Sequence, residues 1–113
     1  MFQAVFVELP AFERHRSRYL DDEQFRRLQL ELRGQPECGD LITGTGGLRK
    51  MRFADASRGK GKRGGLRVIY FWWKQGSQFW LFTLYGKDEV EDLSAQDKKV
   101  LKRLLDRELE AMR

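Results

Sequence analysis

Two aromatic, β-branched runs three residues apart constrain this chain more than any other feature. Residues 66–74 read LRVIYFWWK and residues 78–85 read QFWLFTLY, with Gln75-Gly76-Ser77 between them. Such runs pack well on a pleated surface, and a short glycine-containing connection closes an antiparallel hairpin. Side chains alternate across a strand, so Trp72 and Trp73 cannot lie on one face. The set Phe71, Trp72, Trp73, Phe79, Trp80 and Phe82 is therefore read first as core, with base stacking as the competing use.

The remaining elements are placed around this hairpin. Residues 2–9 (FQAVFVEL) read as a largely buried strand. Pro10 suits the first position of a helix, where a missing N–H is harmless. Phe12, Tyr19 and Leu20 then give residues 11–20 an apolar face. Asp21 or Asp22 caps the next helix, with Gln24 placed to close the box from Asp21. Phe25, Leu28 and Leu32 make residues 22–33 amphipathic, and Gly34 and Pro36 stop them. Gly44-Thr45-Gly46-Gly47 reads as a turn. Residues 48–54 alternate, with Met51 and Phe53 one way and Lys50 and Arg52 the other. Ser94 caps a last helix with Asp97 in its first turn, striped by Val100, Leu101, Leu104, Leu105 and Leu109. The order is β-α-α-β-β-β-α. It predicts one α+β domain over residues 1–113: a mostly antiparallel four-stranded sheet on a helical hairpin, plus a C-terminal helix.

Charge is concentrated rather than spread. Residues 48–67 hold Arg49, Lys50, Arg52, Arg58, Lys60, Lys62, Arg63 and Arg67 against Asp55 alone. That segment carries +7 in a chain whose net charge is +5. Such a local field attracts a polyanion, of which RNA and DNA are the commonest. Glycines interleave the charges of residues 56–65, which suits a basic arm lying along a nucleic-acid backbone. That stretch lacks GxxxxGK[ST] and precedes a strand, so it does not read as a P-loop.

Lys50 and Arg52 share a strand face, Arg67 opens the next strand, and Lys87 follows the last one after Tyr85-Gly86. A meander lets these four converge. A cluster of cations with no acid nearby repels itself, and a phosphate would relieve it. The competing reading is ordinary solvent-facing strand residues. Tyr70 or Tyr85 is placed to offer a hydroxyl near the patch. The acids Asp88, Glu89, Glu91 and Asp92 read as loop and helix-dipole residues, or as groups that hold Lys87 or neighbouring arginines. A single cysteine, Cys38, and a single histidine, His15, argue against a disulfide, a metal site and a His-based acid–base pair. No apolar run approaches the ~20 residues of a membrane helix, and no leader is read, so a cytoplasmic protein is expected.

The segments GTGGLRKMRFADASRGKGKRGGLRVIYFWW and LFTLYGKDEVEDLSAQDKKVLKRLL, with the opening FVELPAFERHRSRYLDDEQF, resemble HigB-type toxins of the RelE/ParE toxin–antitoxin superfamily. The resemblance spans nearly the whole chain. It implies a RelE-like fold and ribosome-dependent mRNA cleavage without metal or cofactor. In relatives of this type the message's own 2′-hydroxyl attacks the adjacent phosphate. The partners implied are the ribosome with its mRNA and a cognate antitoxin that carries a DNA-binding part. Carried over by motif, Lys50, Arg52, Arg67 and Lys87 are catalytic. Arg49, Arg58, Lys60, Lys62 and Arg63 are expected to contact RNA or the ribosome. RelE proper has an arginine where this chain has Asp88, and a catalytic tyrosine near the region of Leu93-Ser94, so the general acid and base stay open. Two other functions compete: a ParE-like gyrase poison without chemistry, and a basic nucleic-acid-binding module.

Overall fold

The aromatic hairpin forms the centre of the sheet in a computed structural model, which describes residues 3–54, 59, 61, 65–90 and 92–112. The elements are β1 (Val5–Glu8), α1 (Pro10–Tyr19), α2 (Asp22–Gly34), β2 (Asp40–Leu41), β3 (Arg49–Phe53), β4 (Leu66–Trp73), β5 (Gln78–Gly86) and α3 (Ala95–Ala111). Among the described residues the fold is α+β, with three α-helices and one mixed five-stranded sheet in the order β1-β5-β4-β3-β2. β1 runs parallel to β5, and the other pairings are antiparallel. The expected strand count of four is corrected to five. The extra strand is β2, two residues that pair Asp40 with Lys50 and Leu41 with Arg49. Two residues are too few for any alternation to register in a sequence.

Helix starts follow from local chemistry. Pro10 opens α1, and Leu9 caps it without a side-chain bond. Asp21 accepts from the Gln24 backbone N–H while the Gln24 side chain accepts from Asp21 N–H, a reciprocal box at the start of α2. Ser94 and Asp97 make the same box for α3, so Asp97 acts through a specific bond as well as through the helix dipole.

The sheet is covered on both faces. The α1–α2 hairpin supplies Phe12, Leu28 and Leu32 to one core, with Met51, Phe53, Val68, Tyr70, Phe79 and Leu81 from the strands. Phe12, Leu28 and Leu32 are fully buried, and each contributes roughly 1.5–3 kcal/mol. α3 packs Leu101 and Leu105 on the other face, against Leu48, Ile69, Trp80 and Phe82. Trp72 stacks on Phe79 in the first core, and Trp73 packs on Trp80 in the second, so the two neighbours do face opposite ways.

One irregularity re-aims the end of β5. Ile69 pairs with Thr83 but Tyr70 pairs with Leu81, which leaves Phe82 as an extra residue in β5. Trp80 and Phe82 lie in the α3-side core. Past this bulge the parity reverses, so Leu84 joins the helical-hairpin core and Tyr85 the α3 side. A one-residue shift turns every later side chain to the other face, and bulges re-aim side chains in this way. No helix among the described residues is long and apolar enough to cross a membrane.

Candidate functional site

β3 and β4 bring two of the expected cations directly opposite each other: Arg52 is the cross-strand partner of Arg67. Lys50, two residues along β3, pairs with Ile69 and so shares their face. Met51 and Phe53 point the other way into the core, as the alternation predicts. Lys87 follows β5, and its N–H donates to Gly65 O at 2.9 Å, carrying the ladder one residue past the strand. Lys87 thus starts at the same end of the sheet as Arg52 and Arg67.

These cations sit in unequal environments. Arg52 is exposed, whereas Arg67 is only 5% exposed. Arg67 Nη1 donates to Leu66 O at 3.1 Å. Burial lowers the Arg67 pKa from its usual value, and the positive charge of Arg52 lowers it further, while Tyr85 opposes both. Like charges directly opposite on a sheet cost about 0.2–1 kcal/mol. An anion bridging the two arginines would turn that repulsion into shared attraction, with the guanidinium forks matched to phosphate oxygens.

The cluster is not free of acids, which corrects the sequence reading. Lys50 Nζ lies 3.4 Å from Asp92 Oδ1. The same carboxylate accepts from Leu93 N–H at 2.8 Å. That backbone bond, and then Lys50, hold the Asp92 carboxyl below its usual pKa. Lys50 stands between two concavities. One, of about 640 Å³, also touches Arg52, Glu31 and Asp40; the other, of about 230 Å³, touches Asp92, Leu93 and Lys98. The mixed lining of the larger groove makes it a weaker anion site than the arginine pair.

Arg49 is not part of this cluster. It lies on the opposite face of β3, where Nη2 meets Glu37 Oε2 at 3.0 Å and Nη1 donates to Gly39 O at 2.8 Å. It fastens the segment that leads into β2. Tyr70 is excluded from the patch in the same way. Its hydroxyl donates to Pro36 O at 2.8 Å and accepts from Gly39 N–H at 3.0 Å, inside the helical-hairpin core. Burial pushes its pKa up. Arg58, Lys60, Lys62 and Arg63, expected to contact RNA or the ribosome, lie outside the described residues.

Glu89 and Asp92, read from the sequence as loop or cation-holding acids, have partners that the sequence did not indicate. Glu89 accepts from the Tyr19 hydroxyl at 2.6 Å and pairs with Arg18, tying the turn that carries Lys87 to α1. Asp92 reaches Lys50 across forty-two positions of sequence. Neither contact leaves a periodic signal; only the acidic residues after Lys87 hinted that something there holds a cation. No protein-family model matches the chain.

Proposed function

We propose that this chain is the toxin of a type II toxin–antitoxin system, a ribosome-dependent endoribonuclease of the HigB/RelE kind. The observation that carries the reading is the Arg52–Arg67 cross-strand pair, with Lys50 on the same face and Lys87 at the same end of the sheet. The whole-length resemblance to HigB-type toxins points the same way.

In this reading Arg52 and Arg67 grip the non-bridging oxygens of the scissile phosphate. The message's 2′-oxygen attacks phosphorus and the bond from phosphorus to the 5′-oxygen breaks. A 2′,3′-cyclic phosphate and a 5′-hydroxyl result. The 2′-hydroxyl gives up its proton and the leaving 5′-oxygen gains one, so no water is consumed. Negative charge grows on the phosphorane, and preorganised arginine donors stabilise it, an effect of about 10²–10³ in rate per donor. Lys50 and Lys87 neutralise charge and are the residues best placed to relay protons. The cluster contains no strong base, so alignment of the 2′-hydroxyl must come from elsewhere. The ribosomal decoding site supplies it, and alignment is worth several powers of ten.

Burial weighs against the nucleic-acid-binding module. Phe79, Trp80 and Phe82 are at most 2% exposed, and Trp72 and Trp73 pack on Phe79 and Trp80. Phe79, Trp80 and Phe82 therefore offer stacked bases no platform, and the partly buried Trp72 and Trp73 are already packed on Phe79 and Trp80. A gyrase poison has no need of two opposed arginines. The antitoxin is expected to be acidic where it meets this cluster, or to occlude it.

The test uses purified ribosomes carrying a message in the decoding site. The protein should cut the engaged message and leave the same RNA intact when ribosomes are omitted. Equal cutting of free RNA overturns the ribosome requirement. Intact messages together with inhibited DNA supercoiling move the chain to the gyrase poisons.

A further inference from the structure

All three tyrosines are buried, at 6% exposure for Tyr19, 0% for Tyr70 and 9% for Tyr85. Buried hydroxyls normally find partners, because leaving one unmet forfeits its hydration with nothing in return. Tyr19 donates to Glu89, and Tyr70 is bonded to Pro36 and Gly39. Tyr85 makes no side-chain hydrogen bond with any described residue. Its hydroxyl oxygen is not among the sealed, unpartnered side-chain atoms, and the residue keeps 9% of its surface exposed.

The place of that hydroxyl is set by the bulge. Uninterrupted alternation from Trp80 through Phe82 would put Leu84 on the α3 side and turn Tyr85 into the helical-hairpin core. The extra residue Phe82 reverses this, and Tyr85 becomes the direct cross-strand partner of Arg67. Arg67 is in turn the partner of Arg52. Three strands therefore present Arg52, Arg67 and Tyr85 in one row across the sheet, on one face. The row carries two guanidinium forks and one O–H that no described residue takes up.

We propose that the Tyr85 hydroxyl is the third donor of this row, hydrogen-bonding a non-bridging oxygen of the RNA phosphate held by Arg52 and Arg67. This rests on the phosphate-binding part of the function proposed above. Burial first, and then Asp92, raise the Tyr85 pKa, while Arg67 opposes them, so the group remains a protonated donor at neutral pH. A tyrosine donor adds something the arginines do not. It contributes a directed bond without further charge, in a site where another cation would deepen the repulsion.

The experiment uses the whole chain with ¹³C-labelled tyrosine and an uncleavable 2′-O-methyl RNA strand as probe. Tyr85→Phe keeps the ring and removes only the oxygen, and it assigns the Tyr85 signal among three. On titration the Tyr85 ring signals should shift while those of Tyr70 stay put. Tyr85→Phe should weaken binding by about fivefold, the scale of one ordinary hydrogen bond. Its dependence on salt should match the wild type, because no charge is lost, whereas Arg52→Ala should lower the slope by about one contact. Equal affinity of Tyr85→Phe, or a Tyr85 signal unmoved as RNA binds, overturns the proposal and leaves the nuclease reading standing. A strand bound through Tyr85 by a protein that leaves translated messages intact does the reverse. No binding by the wild type overturns this proposal, while cutting on ribosomes decides the nuclease reading separately.

Discussion

Asp92 contacts Lys50, so a phosphate held by the proposed cluster would have to compete with it, and Asp92→Asn measures that competition. The substitution keeps an oxygen that can accept from Leu93 N–H, now 2.8 Å from Oδ1, and removes one negative charge. Lys50 and Asp92 side chains are 31% and 69% exposed, so their ion pair contributes little to stability, within about 0–1 kcal/mol. The effect on anion binding is larger. Asp92 is 3.4 Å from Lys50 Nζ, and a phosphate on the far side of that ammonium would lie about 3 Å beyond it, which puts the two anions roughly 6 Å apart. At an effective dielectric near 40 that repulsion is about 1.4 kcal/mol before screening. With Debye lengths of about 30 Å at ~0.01 M salt and about 8 Å at ~0.15 M, it falls to about 1.1 and about 0.7 kcal/mol. Asp92→Asn should therefore bind a short uncleavable RNA about sevenfold more tightly at low salt and about threefold at physiological salt. Fluorescence anisotropy reads both. Because the Asp92 carboxyl is held below its usual pKa, the gain should be flat from about pH 5 to about pH 8. Weaker binding by Asp92→Asn rules out competition and makes Asp92 a residue that holds Lys50 in its binding position.

Further predictions concern chemistry, docking and stability. Arg67→Lys keeps the charge but loses the planar fork, so single-turnover cleavage on ribosomes should fall by roughly 10² or more with binding nearly intact. Changing Lys60, Lys62 and Arg63 together to Ala should weaken ribosome association and lower its salt slope by roughly two to three, while the rate at saturation changes little. Tyr70→Phe leaves Gly39 N–H and Pro36 O without their buried partner, and should cost about 2 kcal/mol, or roughly 10 °C in Tm. Burial raises the Tyr70 pKa above the ordinary phenol value of 10.0, so its stabilisation is complete below that value and is lost as pH rises through the folded-state pKa. Stability of the wild type should then drop in alkali more steeply than that of Tyr70→Phe, as denaturant titrations across that range would reveal.

Much of this arrangement was legible because it depends on local pattern. The capping box at Asp21–Gln24, the proline start of α1 and the alternation that separates Met51 and Phe53 from Lys50 and Arg52 are all short-range signals. So was the opposition of Trp72 and Trp73. What escaped depends on long-range pairing. β2 exists only because Asp40 and Leu41 find β3. The bulge at Phe82 sets the direction of Tyr85, and no residue type in QFWLFTLY announces it. Arg49 looked like one more cation in a basic segment. Its partners Glu37 and Gly39 come from a loop whose course the sequence does not fix. The Asp92–Lys50 contact is of the same kind, since a loop after β5 must fold back on β3 to make it.

Arg52 and Arg67 are proposed to serve RNA cleavage on the ribosome. The most direct measurement of that role is a map of RNA 5′ ends in bacteria after a brief pulse of induced expression, beside an Arg67→Lys control expressed to the same level. New 5′-hydroxyl ends should appear inside translated regions of messages. They should disappear when the start codon of a reporter is removed, and should be scarce in the control. Unchanged message ends in cells whose growth the protein nevertheless arrests would rule out RNA cleavage as its action.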